Sequence, residues 1–225
     1  MAGGMGASFD PDRIARLRGR SSGGGLGQRV WAQAAVLILG FVALLYGIEG
    51  VDTLENGRLE QAGIEPREAD GLWGILWAPL LHGGWPHLLG NTVPVLVLGF
   101  LVLLSGIARG LAATAIIWVV AGVGTWLIGP EYSVHIGASS LIFGWLTYLI
   151  SRGWFARDIG QILLGLVIFV IYGSALWGVL PGQPGISWQG HLFGALGGLL
   201  AGWVLSGDAR RSRRSDLPKV TGRPR

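Results

Sequence analysis

Six apolar stretches, parted by loops whose charge alternates in sign, limit what this chain can fold into more than any other feature. They run roughly from Val30 to Ile48, Leu88 to Leu104, Leu111 to Ile128, Ser139 to Ile150, Ile159 to Leu180 and Gly190 to Leu205. A hydrocarbon core ~30 Å thick needs about 20 helical residues, and all but the fourth come near that length. The fourth, ending before Ser151 and Arg152, falls short. Leu72 to Leu81 is apolar and Trp-rich but too short to cross, so it reads as an interfacial or re-entrant piece.

Composition points the same way. With 51% hydrophobic and 13% charged residues, the 225-residue chain lacks the polar surface of a soluble domain, and its 40 glycines suit closely packed membrane helices. The absence of cysteine excludes disulfides and thiolate metal sites. Residues 1 to 29 contain no apolar core of the kind a cleavable signal needs.

Charge placement orients the spans. Residues 1 to 29 hold five Arg against two Asp, two short connectors carry Arg109 and Arg152 with Arg157, and the segment after Leu205 holds seven basic residues against two Asp. These belong on the cytoplasmic side. Glu49 to Asp70 holds seven acids and two Arg, the loop before Ser139 carries Glu131, and Pro181 to Ser187 is uncharged. Those three loops face outward. The expected organisation is a cytoplasmic disordered basic tail over 1–29, a membrane domain over 30–206 and a second such tail over 207–225. Basic tails can bind nucleic acid, but their position beside the spans favours the lipid surface, and no nucleic-acid partner is expected.

Ser139 and His191 stand at the outer starts of the fourth and sixth spans, where a hydroxyl and an imidazole at matching depth suggest nucleophile and base. At 1.5 Å per residue, Ser139 lies roughly 18 Å above the inner boundary and about 10 Å below the outer one. Irregular backbone at Gly137-Ala138 is tolerated there if protein covers it or it lines a wet cavity. His87 and Asn91, four apart, share a helix face behind Pro86. Gly194, Gly198 and Gly202 form a small-residue stripe in register with His191, which would let the sixth span approach the fourth closely.

Three motifs on these spans resemble the rhomboid intramembrane serine proteases: His82, His87 and Asn91 as H-x4-H-x3-N, Gly137-Ala138-Ser139 as G-x-S, and His191, Gly194 and Gly198 as H-x2-G-x3-G. The resemblance covers roughly residues 30 to 206 and implies an all-α rhomboid-like bundle of six transmembrane helices with a membrane-dipping first loop. It implies Ser139 as nucleophile and His191 as general base, with His87, Asn91 and the Ser139 amide binding the oxyanion, and no cofactor or metal. No Asp or Glu lies in a helical core, so a Ser-His dyad is expected in place of a triad. Its substrates would be transmembrane segments of membrane proteins, cut in an unwound stretch after a small residue. The setting would be a bacterial plasma membrane, with both termini cytoplasmic and the site open to the outer side.

Two positions depart from the family pattern. Ser140 stands where Gly is usual, and Phe143 replaces a common Tyr while keeping a ring to stack beneath His191. Ser139 alone also reads as a helix cap, His87 with Asn91 as interhelical glue, His82 as structural and His135 as solvated. The rival functions are an inactive rhomboid-like chaperone, a polar-lined transporter, and a haem protein ligated by His87 and His191. The oligomeric state is not legible.

Overall fold

The computed structural model describes residues 11–183 and 185–207, with side chains from Gly27 onward, so of the tails expected over 1–29 and 207–225 residues 1–10 and 208–225 lie outside the described residues. Helix α1 (Pro11–Leu54) begins ahead of the apolar run expected from Val30. A 3-10 turn at Leu59–Ala62 leads to α2 (Gly71–Trp77), which a second 3-10 turn, Ala78–Leu80, extends. Helix α3 (Trp85–Pro94) starts behind Gly84, with Pro86 in its first turn, where no amide hydrogen is missed. Pro94 cannot donate to the helical ladder, and a wide π turn at Val95–Gly99 follows it before α4 (Phe100–Leu104) resumes.

The remaining helices are α5 (Ile107–Ile128), α6 (Ser139–Ala156), α7 (Ile159–Tyr172, continued by a 3-10 stretch to Val179) and α8 (Trp188–Leu205). Among the described residues four helical runs are long and apolar enough to cross a membrane: Gly27–Leu54, Trp85–Leu104, Ile107–Ile128 and Ile159–Val179. Helices α6 and α8 are not among them, because they carry the polar groups Ser139, Thr147, Gln189 and His191. They form the interior instead. Every residue from Leu141 to Leu149 is buried, whereas α7 buries only Gly165 and Ile168 and turns Val170 and Ile171, 76% and 63% exposed, outward.

The seam between α6 and α8 is built on absent side chains. A Cβ at Gly194 would run into the Ser140 carbonyl, and one at Gly198 into the Gly144 carbonyl. With both positions bare the two backbones touch, and the buried Thr147 hydroxyl donates across the seam to the Ala195 carbonyl at 2.8 Å. Phe193, on another face of α8, fills the space beside Gly124 of α5.

Helix α6 is longer than expected, 18 residues and not 12. The sequence reading stopped it at the charge of Arg152, but that side chain lies over the Tyr148 ring and its Nε donates to Gln161 Oε1 at 3.0 Å. A partnered guanidinium at a helix end snorkels without breaking the helix, which continues to a left-handed cap at Arg157.

The first loop is fastened to the C-terminal end of α5 and to the segment before α6. Ile64 and His135 exchange both backbone hydrogen bonds at 3.0 Å, Arg67 donates to the Gly129 carbonyl at 2.8 Å, and the indoles of Trp118 and Trp126 donate to the Ile75 and Glu68 carbonyls. These bonds seat α2, whose Leu72, Trp73, Leu76 and Trp77 remain exposed.

Candidate active site

Ser139 is the first residue of α6 and His191 lies one turn into α8. The close approach at Gly194 places these two helix starts side by side, and His191 Nε2 stands 2.9 Å from Ser139 Oγ. The Ser139 hydroxyl is thus turned to the imidazole. The capping alternative fails, because the cap position of α6 is Ala138 and no side chain caps it.

Which ring nitrogen carries the proton follows from the second partner. His191 Nδ1 is 3.0 Å from the Gly178 carbonyl, which can only accept, so Nδ1 holds the hydrogen. In the neutral ring Nε2 then offers a lone pair to the serine hydroxyl. Phe143 lies parallel beneath the imidazole at 4.0 Å and 11°, closing its other degree of freedom.

The Gly178 carbonyl was not legible in the sequence. A main-chain acceptor can come from any residue, and the only trace is the glycine: a Cβ there would sit 2.9 Å from Phe143 Cζ and 3.1 Å from His191 Nδ1. It performs for the imidazole the orienting task a carboxylate performs in a triad.

His87 and Asn91 approach from α3. His87 Nδ1 accepts from the Gly83 amide at 3.2 Å, so its Nε2 carries the hydrogen. That edge faces Gly137, where a Cβ would lie 3.0 Å from His87 Nε2 and 3.5 Å from Ser139 Oγ. Gly137, at φ 119, therefore supplies both the turn and the room between them. Asn91 is 8% exposed and its amide nitrogen has no partner among the described residues. A buried donor left unpaired costs about 1–3 kcal/mol, a cost that a bound oxygen would offset. The Ser139 amide joins them: in the first turn of a helix it has no intrahelical acceptor. His82 stands behind this group, its Nε2 accepting from the Ala138 amide at 3.4 Å. The polar edges of His87, Asn91, Ser139, Gln189 and His191 line one cavity of about 670 Å³. A peptide of several residues fits such a volume.

His135 departs from its expected place. It is 8% exposed, not solvated, because the first loop pairs with its backbone and the start of α8 covers its ring. Burial pushes its pKa below the ordinary histidine value, so it is neutral at pH 7. Ser140 turns its carbonyl to Gly194 and lines, with Ser139 and Thr125, a small crevice.

An all-helical membrane protein with a serine and a histidine joined at the N-terminal ends of two packed helices defines a class, and comparison with known proteins agrees with it. The rhomboid domain description matches residues 69–208, and the chain belongs to the rhomboid family. It is 51% identical over 205 residues to an uncharacterised protein of Mycobacterium tuberculosis, covering 84% of this chain and 85% of that one, and 46% identical to an uncharacterised protein of Mycobacterium leprae (81% and 76%). The Bacillus subtilis protein named "Putative rhomboid protease YdcA" is 32% identical over 139 residues, 60% of this chain and 69% of that one. No solved structure matches the chain.

Proposed function

We propose that this chain is an intramembrane serine endopeptidase that cuts transmembrane segments of other membrane proteins with Ser139 and His191. One observation carries the reading: the 2.9 Å bond from the Ser139 hydroxyl to an imidazole whose tautomer the Gly178 carbonyl fixes. His191 Nε2 takes the hydroxyl proton as Oγ attacks the scissile carbonyl carbon. Oxyanion charge then forms at the start of α6, where the Ser139 amide, Asn91 Nδ2 and His87 Nε2 converge as donors. The imidazolium returns its proton to the departing amine, leaving an acyl-serine. Water entering the cavity gives a proton to His191, attacks the ester, and the serine is regenerated.

All six helical runs cross the membrane in this reading, including α6, whose 18 residues span about 27 Å. Residues 30–206 form the membrane domain in a bacterial plasma membrane, with cytoplasmic tails and α2 resting at the outer interface. The substrate must unwind to react, since a helical carbonyl is occupied by its internal hydrogen bond. The test is fluorophosphonate labelling of the purified protein beside Ser139→Ala. Label is expected on the native chain alone; equal labelling of the variant would remove Ser139 from the role.

A further inference from the structure

A second serine-histidine bridge joins the same two chain segments as the first. His135 lies four residues before Ser139 and Ser187 four residues before His191, and His135 Nδ1 is 2.7 Å from Ser187 Oγ. Hydrogen positions along this bridge follow from its ends. The Ser133 hydroxyl donates to the Pro130 carbonyl at 2.6 Å, which leaves its oxygen to accept from His135 Nε2 at 3.0 Å. His135 Nδ1 is then a lone pair, and the Ser187 hydroxyl donates to it while the Ser187 oxygen accepts from the Gly190 amide at 3.2 Å as the cap of α8. Each polar atom on the bridge has one defined role.

The bridge is also rooted. His135 exchanges backbone bonds with Ile64 of the first loop, so its ring cannot shift without that loop. Ser187 sets where α8 begins, one turn ahead of His191. Gly194 against the Ser140 carbonyl and Phe193 beside Gly124 hold α8 further along its length, and the bridge adds a polar link at its start.

We propose that His135 and Ser187 are positioning residues, a clamp that fixes the start of α8 against the Gly137-Ala138-Ser139 turn and so holds Ser139 and His191 at reacting distance. The functional half of this inference rests on the protease reading above; the geometric half does not. A displacement of ~1 Å at reacting groups costs on the order of 10²-fold in rate. Ser133, His135 and Ser187 also line the cavity, but a clamp acts on the distance between the reacting groups, so its loss appears in kcat more than in KM.

The experiment pairs turnover with a distance measurement in liposomes. Ser187→Gly keeps an acceptable helix start, since glycine in place of serine at the cap costs only a few tenths of a kcal/mol, and deletes the bond to His135. It is expected to lower kcat about 10- to 100-fold with KM within about twofold, and Ser187→Thr, which keeps the hydroxyl, to stay within about threefold of the native rate. His135→Asn in the Ser187→Gly background should add little, since both remove one interaction. Spin labels at Tyr132→Cys and Gln183→Cys, on a chain without other cysteines, should give a narrow distance distribution that broadens in Ser187→Gly. Native kcat and an unchanged distribution in Ser187→Gly would overturn the clamp, as would fully additive losses. If Ser187→Gly fails to fold, His135→Asn alone, which leaves the α8 cap intact, is read by the same criteria. A native chain that neither cleaves nor labels at Ser139 would sink the protease reading, and the distance distributions would then decide the clamp alone.

Discussion

In the proposed mechanism Ser139 stays an ordinary alcohol until His191 takes its proton, and the Gly178 carbonyl and the Phe143 ring hold the imidazole's tautomer and plane. Ser139→Ala and His191→Ala should each abolish cleavage in liposomes with the helix content unchanged; substantial cleavage by either would exclude the dyad. Asn91→Ala should cost about 10²- to 10³-fold in kcat, the usual effect of removing one preorganised oxyanion donor, while small serine-directed probes still label Ser139. A loss of folding in place of rate would make Asn91 a packing residue. Ser140→Gly should stay within a few-fold of the native rate, because the imidazole Nε2 is bonded to the Ser139 hydroxyl. At this scale the sequence showed the side chains and hid the main chain. Ser139, His191, His87 and Asn91 stood out because polar groups in apolar runs are costly and few. The Gly178 carbonyl carries no side-chain signature, and the burial of His135 depends on Ser187, 52 residues away.

At the scale of elements, apolar runs predicted where helices lie but charges misled about where they end. Helix α6 passes beyond Arg152 because Gln161 and Tyr148 receive the guanidinium, a contact made by the neighbouring helix and invisible in the local run. The Gly194 and Gly198 stripe was legible as a close-packing surface, and its partner proved to be the carbonyls of Ser140 and Gly144. Gly198→Leu must therefore push α8 from α6, and overpacking of this kind costs about 1–3 kcal/mol or more. We expect a lower melting temperature in detergent together with loss of turnover, because the same seam sets the distance from Ser139 to His191. Gly90→Ala on α3 is the matched control: nothing lies within 4 Å of its added methyl, and alanine in a helix is favoured over glycine by roughly 0.5–1 kcal/mol. Gly90→Ala should therefore keep or raise the melting temperature, and a value lowered equally by both substitutions would mean that the loss is not specific to the seam.

Across the whole molecule, the cavity that holds Ser139 and His191 opens on the side of the loops 129–138 and 181–187, the side the charge pattern assigns to the exterior. Acids concentrate between Glu49 and Asp70, and Arg109, Arg152 and Arg157 sit at the opposite helix ends. The positive-inside rule turns that asymmetry into an orientation, and orientation decides which leaflet supplies water and substrate. The chain has no cysteine, so single introduced thiols report without background. Gln183 and Glu68 are exposed in the loops on the cavity side, and Ala108 is exposed in the first turn of α5 on the other. Gln183→Cys and Glu68→Cys should react with an impermeant thiol reagent added outside intact cells, and Ala108→Cys only after permeabilisation. With that outcome, the proposed mechanism releases cleaved fragments toward the exterior, because its acyl-serine would be hydrolysed by water from the same cavity. External labelling of Ala108→Cys with protection of Gln183→Cys would reverse the protein in the membrane, and with it the side on which substrates are cut.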